Sequence, residues 1–476
     1  MKEVRQTKIV ATLGPASSTP ETIVDLIEAG VNVFRLNFSH GNREIHKSNI
    51  EHIRNEGNKL GIPIGVLQDL QGPKIRIGVF EKEKIFLEAG KTFSITCDDD
   101  SPGNEDRVGV TYKTLFSDVN IGDSLLLDDG RMCLEVTDIM GKVILTKVSI
   151  GGTLSDNKGI NIPGVDLSIP ALTEKDIEDL FFGAELEVDW VAISFVRSRE
   201  DLLLARKHLN KAQSQAKLMA KIEKPGALSR FTEILQEADG VMVARGDLGV
   251  EMPPEQVPMI QKQLIQECSV AGKPVITATQ MLESMIENPT PTRAEASDVA
   301  NAIYDGTDAI MLSAETAVGA YPIEAVKMMD RIARSVETDS RYRQSVRDHH
   351  PEPKETIADA VSLGAVEMAY NLKADLIVTF TASGTTALQV SRYRPTAPVL
   401  AVTPSVIAFR QMSVSWGLLP FLSNEFHTTD EMIEKALRAI DDTGFAEPGG
   451  RFVITAGVPF GMTGKTNLIR VESIPD

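Results

Sequence analysis

The stretch TKIVATLGPASSTPETIVDLIEAGVNVFRLNF, residues 7–38, holds one repeat of the plan on which most of the chain is built. TKIVATL (7–13) is a short apolar run, the mark of a strand buried on both faces. TPETIVDLIEAG (19–30) spaces its apolar residues as an amphipathic helix does and stops on Gly30. VNVFRLNF (31–38) is the next strand. Strand, helix and strand joined by short turns predict a parallel sheet covered by helices.

The plan recurs outward from there. A helix is expected over 42–60, and IPIGVLQ (62–68) is a third strand. After about a hundred residues of different texture, LTEKDIEDLFFGAEL is helical with a Thr173-to-Asp176 cap. WVAISFV (190–196), KLMAKIE (217–223), GVMVAR (240–245), PVITAT (274–279) and AIMLSA (309–314) are five more strands. A Thr292-to-Glu295 capping box opens one of the helices between them. Eight such units close naturally into a (β/α)8 TIM barrel, whose reactive groups gather at the C-terminal ends of the strands. A doubly wound open sheet is the alternative architecture.

The interruption reads as a small β domain inserted after strand three. KIFLEAGKTFSITC, SLLLDDGRMCLEV and KVILTKV alternate with period two and are divided by turns. SVRDHHPEPKET is polar and proline-bearing, a linker near 345–355. The expected division is a barrel from 1–70 and 171–345, an inserted β lid over 71–170, and a C-terminal α/β domain over 346–476 with strands LIVTF, PVLAV and RFVITAG.

A chain of 476 residues, 42% hydrophobic and 24% charged, is expected to fold as a soluble protein of several domains. Its formal charge of −18 argues against nucleic acid or anionic membrane as the main partner. No apolar run is long enough to span a membrane, and MKEVRQTKIV leaves no room for a signal peptide. Cys97, Cys133 and Cys268 lack metal-ligand spacing and read as small hydrophobes in a reducing, cytoplasmic setting.

Reactive side chains concentrate at the ends of the predicted strands. Strand two ends in Arg35, Asn37 and Ser39, strand three in Asp69, strand four in Ser194, and strand five in Lys221 and Glu223. Strand six leads into Arg245 and Asp247, strand seven ends in Thr279, and strand eight in Ser313 and Glu315. Each alone reads as a cap or a solvated charge; together at one barrel mouth they do not. Glu223 and Asp247 are hard oxygen ligands suited to Mg²⁺ or Mn²⁺. Arg35, Arg76 and Lys221 suit a phosphoryl group. Cations and a metal around one oxygen cluster serve phosphoryl transfer or enolate stabilisation.

TKIVATLGPAS, NVFRLNFSHG, DLQGPKIRIG, AKIEKPGAL, MVARGDLGVEM, ATQMLESM and MLSAETAVGAYP, in this order, closely resemble the pyruvate kinase family. The resemblance implies transfer of a phosphoryl group from phosphoenolpyruvate to ADP, giving ATP and, after protonation of the enolate, pyruvate. It implies that Glu223 and Asp247 bind the divalent metal, and that Arg35 and Lys221 contact the transferring group. It places substrate at Ser194 and along Ala244, Arg245, Gly246 and Asp247, with the backbone there as a carboxylate-binding edge. Thr279, Ser313 and Glu315 resemble a proton relay to the enolate carbon. Asn37, Ser39, His40, Arg76 and Lys175 resemble nucleotide contacts, and the inserted domain a closing lid. A homotetramer is the family's usual assembly. A Mg²⁺-dependent enolpyruvate aldolase or lyase is the rival reading, and a non-catalytic sensor another.

Family members that need K⁺ carry the loop D-T-K-G-P-E-I-R, with the ion held at positions matching Asn37, Ser39, Asp69 and Leu70. Here Leu70 replaces Thr, Gln71 replaces Lys and Lys74 replaces Glu. The net positive charge is the same in both arrangements if the ammonium of Lys74 stands in for the ion. The loop therefore resembles the K⁺-independent branch.

In the third domain, FTASGTTALQVSRYRP (380–395) is a strand, a small-residue turn and a helix. Thr381, Ser383, Gly384, Thr385 and Thr386 offer donors for an anion, with Arg392 expected within reach along the helix. The resemblance implies a phosphorylated activator at this loop. SNEFHTTDEM lacks the Trp and Arg of members that hold a second phosphate, which favours a sugar monophosphate or AMP.

Overall fold

The computed structural model describes residues 4–165, 167–348, 350–459 and 465–475; Met1 to Glu3 of the leading segment, Asp166 of the expected lid and His349 of the expected linker lie outside them. Eight strands form a closed barrel: β1 (Lys8–Thr12), β2 (Val33–Asn37), β3 (Gly65–Asp69), β4 (Trp190–Ile193), β5 (Lys217–Ile222), β6 (Gly240–Ala244), β7 (Val275–Ala278) and β8 (Ala309–Leu312). Every neighbouring pair is parallel, and β1 closes on β8 with Ile9 opposite Ile310. The open-sheet alternative is thereby excluded. Six of the strands are buried at every position, which is why they read as unbroken apolar runs.

The helices form where their caps place them. Thr19 caps the helix Pro20–Ala29, which ends on left-handed Gly30. Thr173 with Asp176, and Thr292 with Glu295, make reciprocal capping boxes. The apolar faces of these helices and the outward faces of the strands share one core, which includes Ile23, Leu26, Phe34, Leu180 and Ile303.

Between β3 and β4 the chain builds a six-stranded sheet whose middle strands, Met132–Met140 and Val143–Ile150, are antiparallel. A two-stranded ribbon, Lys84–Leu87 with Gly152–Ser155, lies beside it. This insertion has its own core around Phe93, Leu125, Leu134 and Ile144.

The C-terminal part is a five-stranded sheet in the order Leu418–Leu422, Val399–Thr403, Leu376–Phe380, Arg451–Ala456, Leu468–Ser473, the last antiparallel. Both edge strands escape a pattern-based reading. One carries Pro420, tolerated only at an edge, and the other has no fully buried residue and mixes Leu468, Ile469 and Val471 with Arg470, Glu472 and Ser473. The stretch expected as a linker from 345 begins as helix, because the helix Ser340–Asp348 occupies its first residues.

This sheet docks on the barrel's N-terminal end, opposite the mouth. Lys8 Nζ donates to Leu418 O at 2.6 Å, Arg410 Nε to Asp189 Oδ1 at 2.8 Å, and Trp190 Nε1 to Gln411 O at 3.2 Å. Val414 packs with Val10, Val33 and Met242 inside the barrel floor. Burial pushes the Lys8 ammonium down to about 7.

Candidate active site

The strand ends converge as the barrel requires. Lys221, near the end of β5, places Nζ 2.7 Å from Ser194 Oγ, 2.9 Å from Glu223 Oε1 and 3.1 Å from Asp69 Oδ1. Arg35, on β2, donates from Nε to Asp69 Oδ2 at 2.6 Å and from Nη1 to Thr12 Oγ1 at 3.1 Å. Glu223 Oε2 accepts the backbone N–H of Phe195 at 2.7 Å. Asp69 and Glu223 are each only 1% exposed, so these charges meet in a largely dry site.

The electrostatics follow from that burial. Desolvation alone lifts the Asp69 carboxyl, but Lys221 and then Arg35 outweigh it and hold Asp69 below the usual carboxylate range. Burial works against the charge on Lys221, yet Asp69 and Glu223 keep it protonated above the ordinary lysine range. Glu223 moves the other way: burial raises it, the repulsion from Asp247 adds to this, and Lys221 offsets only part. The mouth thus holds one fixed ammonium, one fixed guanidinium and two carboxylates that feel each other.

Strained backbone lies at the same rim. Thr279 and Phe195 have φ of 68° and 56°, in the left-handed region that costs a bulky residue about 1–3 kcal/mol. Thr279 is held there by its own hydroxyl, which accepts Gly246 N–H at 2.7 Å and donates to Ala278 O at 2.6 Å. Phe195 is held by Glu223. Gly72, in the Gly-Pro turn after β3, has φ of 68°, and a Cβ there would meet Ser194 Cβ at 2.8 Å. That turn must be glycine for the chain to pass so close to the site.

The remaining expected residues separate into groups. Lys175 reaches Phe38 O at 2.8 Å and pairs with Asp179, which brings it to the loop of Asn37, Ser39 and His40. Within that loop Ser39 N–H donates to Asn37 Oδ1 at 3.1 Å, and His40 is exposed. Arg76 stands at the base of the insertion, donating to Asn157 O at 2.9 Å. Ser313 N–H and Leu282 N–H both donate to Glu315, at 2.7 and 3.2 Å. Glu315 is therefore a clamp between the ends of β7 and β8, its carboxyl raised by burial.

Two side chains, Lys74 and Arg392, sit elsewhere than the sequence reading put them, and the Arg245 side chain leaves only its backbone at the mouth. Lys74 makes no hydrogen bond or ion pair with Asn37, Ser39 or Asp69 among the described residues; its Nζ lies 3.3 Å from Asp247 Oδ1 and 4.0 Å from Asp129 Oδ1. Those acceptors lie on its own side, whereas Asp69 is already saturated by Arg35 and Lys221. The backbone of Ala244, Arg245 and Gly246 borders the mouth, but the Arg245 guanidinium turns away to Asp298, Ala278 O and Thr279 O. Arg392 is not near the Thr381–Thr386 loop; it is buried against Asp359 at 2.7 Å and Glu352 O at 2.9 Å.

Sequence reasoning missed Thr12, although the rule that found the other strand ends applies equally to β1. It also missed a contact between the insertion and the barrel. Asn161, on the insertion, donates to Glu251 Oε1 at 2.9 Å, and Lys224, which follows the β5 end, pairs with the same oxygen. Glu251 ends the helix Arg245–Glu251 that carries Asp247. A cavity of about 280 Å³ lies beside this contact, lined by Lys74, Phe195 and Arg197 among others.

In the C-terminal domain, Thr381, Ser383, Thr385 and Thr386 line a cavity of about 290 Å³ with His427 and Lys465. Gly384 N–H is already taken by Thr381 Oγ1 at 2.9 Å. Among the described residues no helix is long and apolar enough to cross a membrane.

Comparison with known proteins agrees with this architecture part by part. Residues 4–326 match the family described as pyruvate kinase, barrel domain, and residues 359–472 match pyruvate kinase, alpha/beta domain. The chain is 47% identical over 467 residues to a pyruvate kinase of Agrobacterium vitis, with 98% of each chain covered. It is 43% identical over 472 residues to that of Clostridium acetobutylicum, covering 99% of this chain and all of the other. A Bacillus licheniformis pyruvate kinase is 47% identical over 476 residues, covering 99% of this chain and 81% of its own. With the barrel, the C-terminal sheet and nearly the whole length accounted for, the chain belongs to the pyruvate kinase family of phosphotransferases.

Proposed function

We propose that this chain transfers the phosphoryl group of phosphoenolpyruvate to ADP with Mg²⁺, giving pyruvate and ATP, and does so without K⁺. The observation that carries this reading is Lys221, fixed within 3.1 Å of Asp69, Glu223 and Ser194 and permanently charged. An ammonium so placed stabilises both the transferring phosphoryl oxygens and the enolate oxygen left behind. Arg35 adds a fork to the same phosphoryl group.

Glu223 and Asp247 suit a divalent ion. Mg²⁺ keeps positions for substrate oxygens and water, so one or two carboxylates are enough to hold it. Mn²⁺ fits the same donors. The ion, when bound, supplies Lewis-acid neutralisation of phosphoryl and enolate charge.

The backbone of Ala244–Asp247 offers the substrate carboxylate an edge, stiffened by Thr279. Thr279 and Ser313 supply hydroxyls for protonating the enolate carbon, with Glu315 positioning the segments that bear them. Asn37, Ser39, His40, Lys175 and Arg76 line the nucleotide's side of the mouth, and the insertion closes over it to exclude water. Lys74, beside Asp247, supplies the fixed positive charge that makes a monovalent ion dispensable.

The Thr381–Thr386 cavity is the place for a phosphorylated activator, a sugar monophosphate or AMP. A homotetramer in the cytoplasm is the setting that family membership favours. Pyruvate formation coupled to lactate dehydrogenase, with ADP, Mg²⁺ and K⁺ left out in turn, tests the reaction. The expected rate requires ADP and Mg²⁺ and is indifferent to K⁺; a rate without ADP, or none with all components, rejects it.

A further inference from the structure

The insertion leaves the barrel after β3 and returns at the helix Glu174–Glu185, so an outgoing and a returning stretch of backbone pass side by side. On the insertion's side they are joined backbone to backbone. Ile160 N–H donates to Ile75 O at 2.9 Å, and Arg76 faces Gly159 in an antiparallel bridge. On the barrel's side one side chain joins them. Asp176 Oδ1 accepts Gly72 N–H of the outgoing stretch at 3.0 Å. Its Oδ2 accepts the N–H and the hydroxyl of Thr173, on the returning stretch, at 2.9 and 2.6 Å.

Asp176 is 0% exposed and makes no ion pair among the described residues. A carboxylate buried without a cation is costly, so the donors around it must be held in place. The helix cap needs only the oxygen that faces Thr173. The other oxygen goes to a glycine 104 residues away in sequence.

The helix that carries Asp176 is itself fixed to β3. Gln68 of that strand, also 0% exposed, donates from Nε2 to Asp179 O at 2.6 Å. A Cβ at Gly183 would lie 2.1 Å from Gln68 Oε1, so glycine there lets the helix rest this close to the strand. Asp176 is thereby held in register with the strand that ends in Asp69.

Gly72 needs such a hold. At φ of 68° it occupies one of the several conformations open to glycine, and its own side chain cannot select among them. Lys74 N–H donates back to Gly72 O at 2.9 Å, so the direction of this turn sets where the Lys74 stem points. Its ammonium ends 3.3 Å from Asp247 Oδ1.

We infer that Asp176 is a positioning residue for phosphoryl transfer: by holding Gly72 N–H it selects the conformation of the Gly72–Lys74 turn and sets the Lys74 ammonium beside Asp247. The inference rests on the reaction proposed above and adds to it a residue that acts through Lys74 rather than on the reacting atoms.

Steady-state kinetics of Asp176→Ala, Thr173→Ala, Lys74→Ala and Asp176→Ala/Lys74→Ala against the wild type test this. Asp176→Ala and Thr173→Ala both break the reciprocal cap, but only Asp176→Ala releases Gly72. Asp176→Ala is expected to lower kcat about five- to tenfold, and Thr173→Ala less than about twofold. In the Lys74→Ala background, adding Asp176→Ala should lower kcat by less than about twofold, because its effect passes through Lys74. Hydrogen exchange of the segment 70–75 gives the direct readout, faster in Asp176→Ala and unchanged in Thr173→Ala. Asp176→Asn, which keeps the shape but accepts on one side only, goes through the same cycle with the same signs expected, in case Asp176→Ala folds poorly. Equal losses of kcat in the Asp176 and Thr173 variants, an undiminished loss without Lys74, or wild-type exchange at 70–75 in the Asp176 variants overturns the inference. A wild type that makes no ATP removes the reaction reading itself and the kinetic role with it; the exchange comparison then shows separately whether Asp176 holds the turn.

Discussion

The ammonium of Lys74 lies 3.3 Å from Oδ1 of Asp247, so the Gly-Pro turn after β3 delivers a cation to that carboxylate rather than to Asp69. Lys74 is about one-quarter exposed, so its charge is screened only in part. Replacing it by glutamate would bring two carboxylates together. Lys74→Glu is expected to lower kcat by about tenfold or more and to make the rate respond to added KCl, whereas the wild type shows no response. Rates in tetramethylammonium buffer with and without KCl measure this. A wild-type enzyme stimulated many-fold by K⁺ removes Lys74 from the role.

Glu223 and Asp247 come from adjacent strand ends and differ in burial, Glu223 being sealed and Asp247 partly open. Glu223→Gln and Asp247→Asn are each expected to lower kcat/KM by roughly 10²–10⁴-fold. Titration of Mn²⁺ followed by electron paramagnetic resonance checks the cause: both variants should bind the ion more weakly. Unchanged Mn²⁺ affinity would assign the two carboxylates to something other than the metal.

Much of this was legible from residue order. The eight buried strands advertise themselves because both their faces are covered, and the capping boxes at Thr173 and Thr292 mark helix starts in four letters each. The gathering of Arg35, Asp69, Lys221 and Glu223 follows from barrel topology alone. What could not be read was side-chain direction. Arg392 was expected near an anion, yet it turns to the buried Asp359, and the Arg245 guanidinium turns to the part-exposed Asp298, because a guanidinium on a flexible stem goes to a carboxylate within its reach. The strand at Leu418–Leu422 was hidden by Pro420, and the Asn161–Glu251 contact by a separation of ninety residues.

Among the described residues that contact is the one buried side-chain hydrogen bond through which Glu251 holds the insertion, and Glu251 Oε2 has no hydrogen-bond partner there. Asn161→Ala is expected to loosen closure of the insertion, lowering kcat about three- to tenfold and raising KM for ADP. The unfolding midpoint should move little, since the insertion keeps its own core. Steady-state kinetics with ADP as the varied substrate check this, and unchanged constants would make the contact incidental.

Lys8 gives the domain joint a pH dependence. Its folded value of about 7 is below the 10.5 of an unburied lysine, so between these values the unfolded chain holds the extra proton. Stability from this residue therefore rises as pH increases from about 7 towards 10.5 and is at its lowest below 7. In Lys8→Met that rise should vanish, so wild-type stability relative to the variant should climb with pH across the window. Urea unfolding of both proteins at several pH values checks the sign; a difference that is flat, or falls with pH, contradicts it.

The fate of the phosphorus atom tests the central claim most directly. Phosphorus magnetic resonance of phosphoenolpyruvate, ADP and Mg²⁺ with this protein should show the phosphoenolpyruvate signal replaced, one for one, by the γ-phosphate of ATP. Phosphoenolpyruvate consumed to free inorganic phosphate, or converted to another product while ADP is untouched, would contradict a barrel mouth built to pass a phosphoryl group from an enol to a nucleotide.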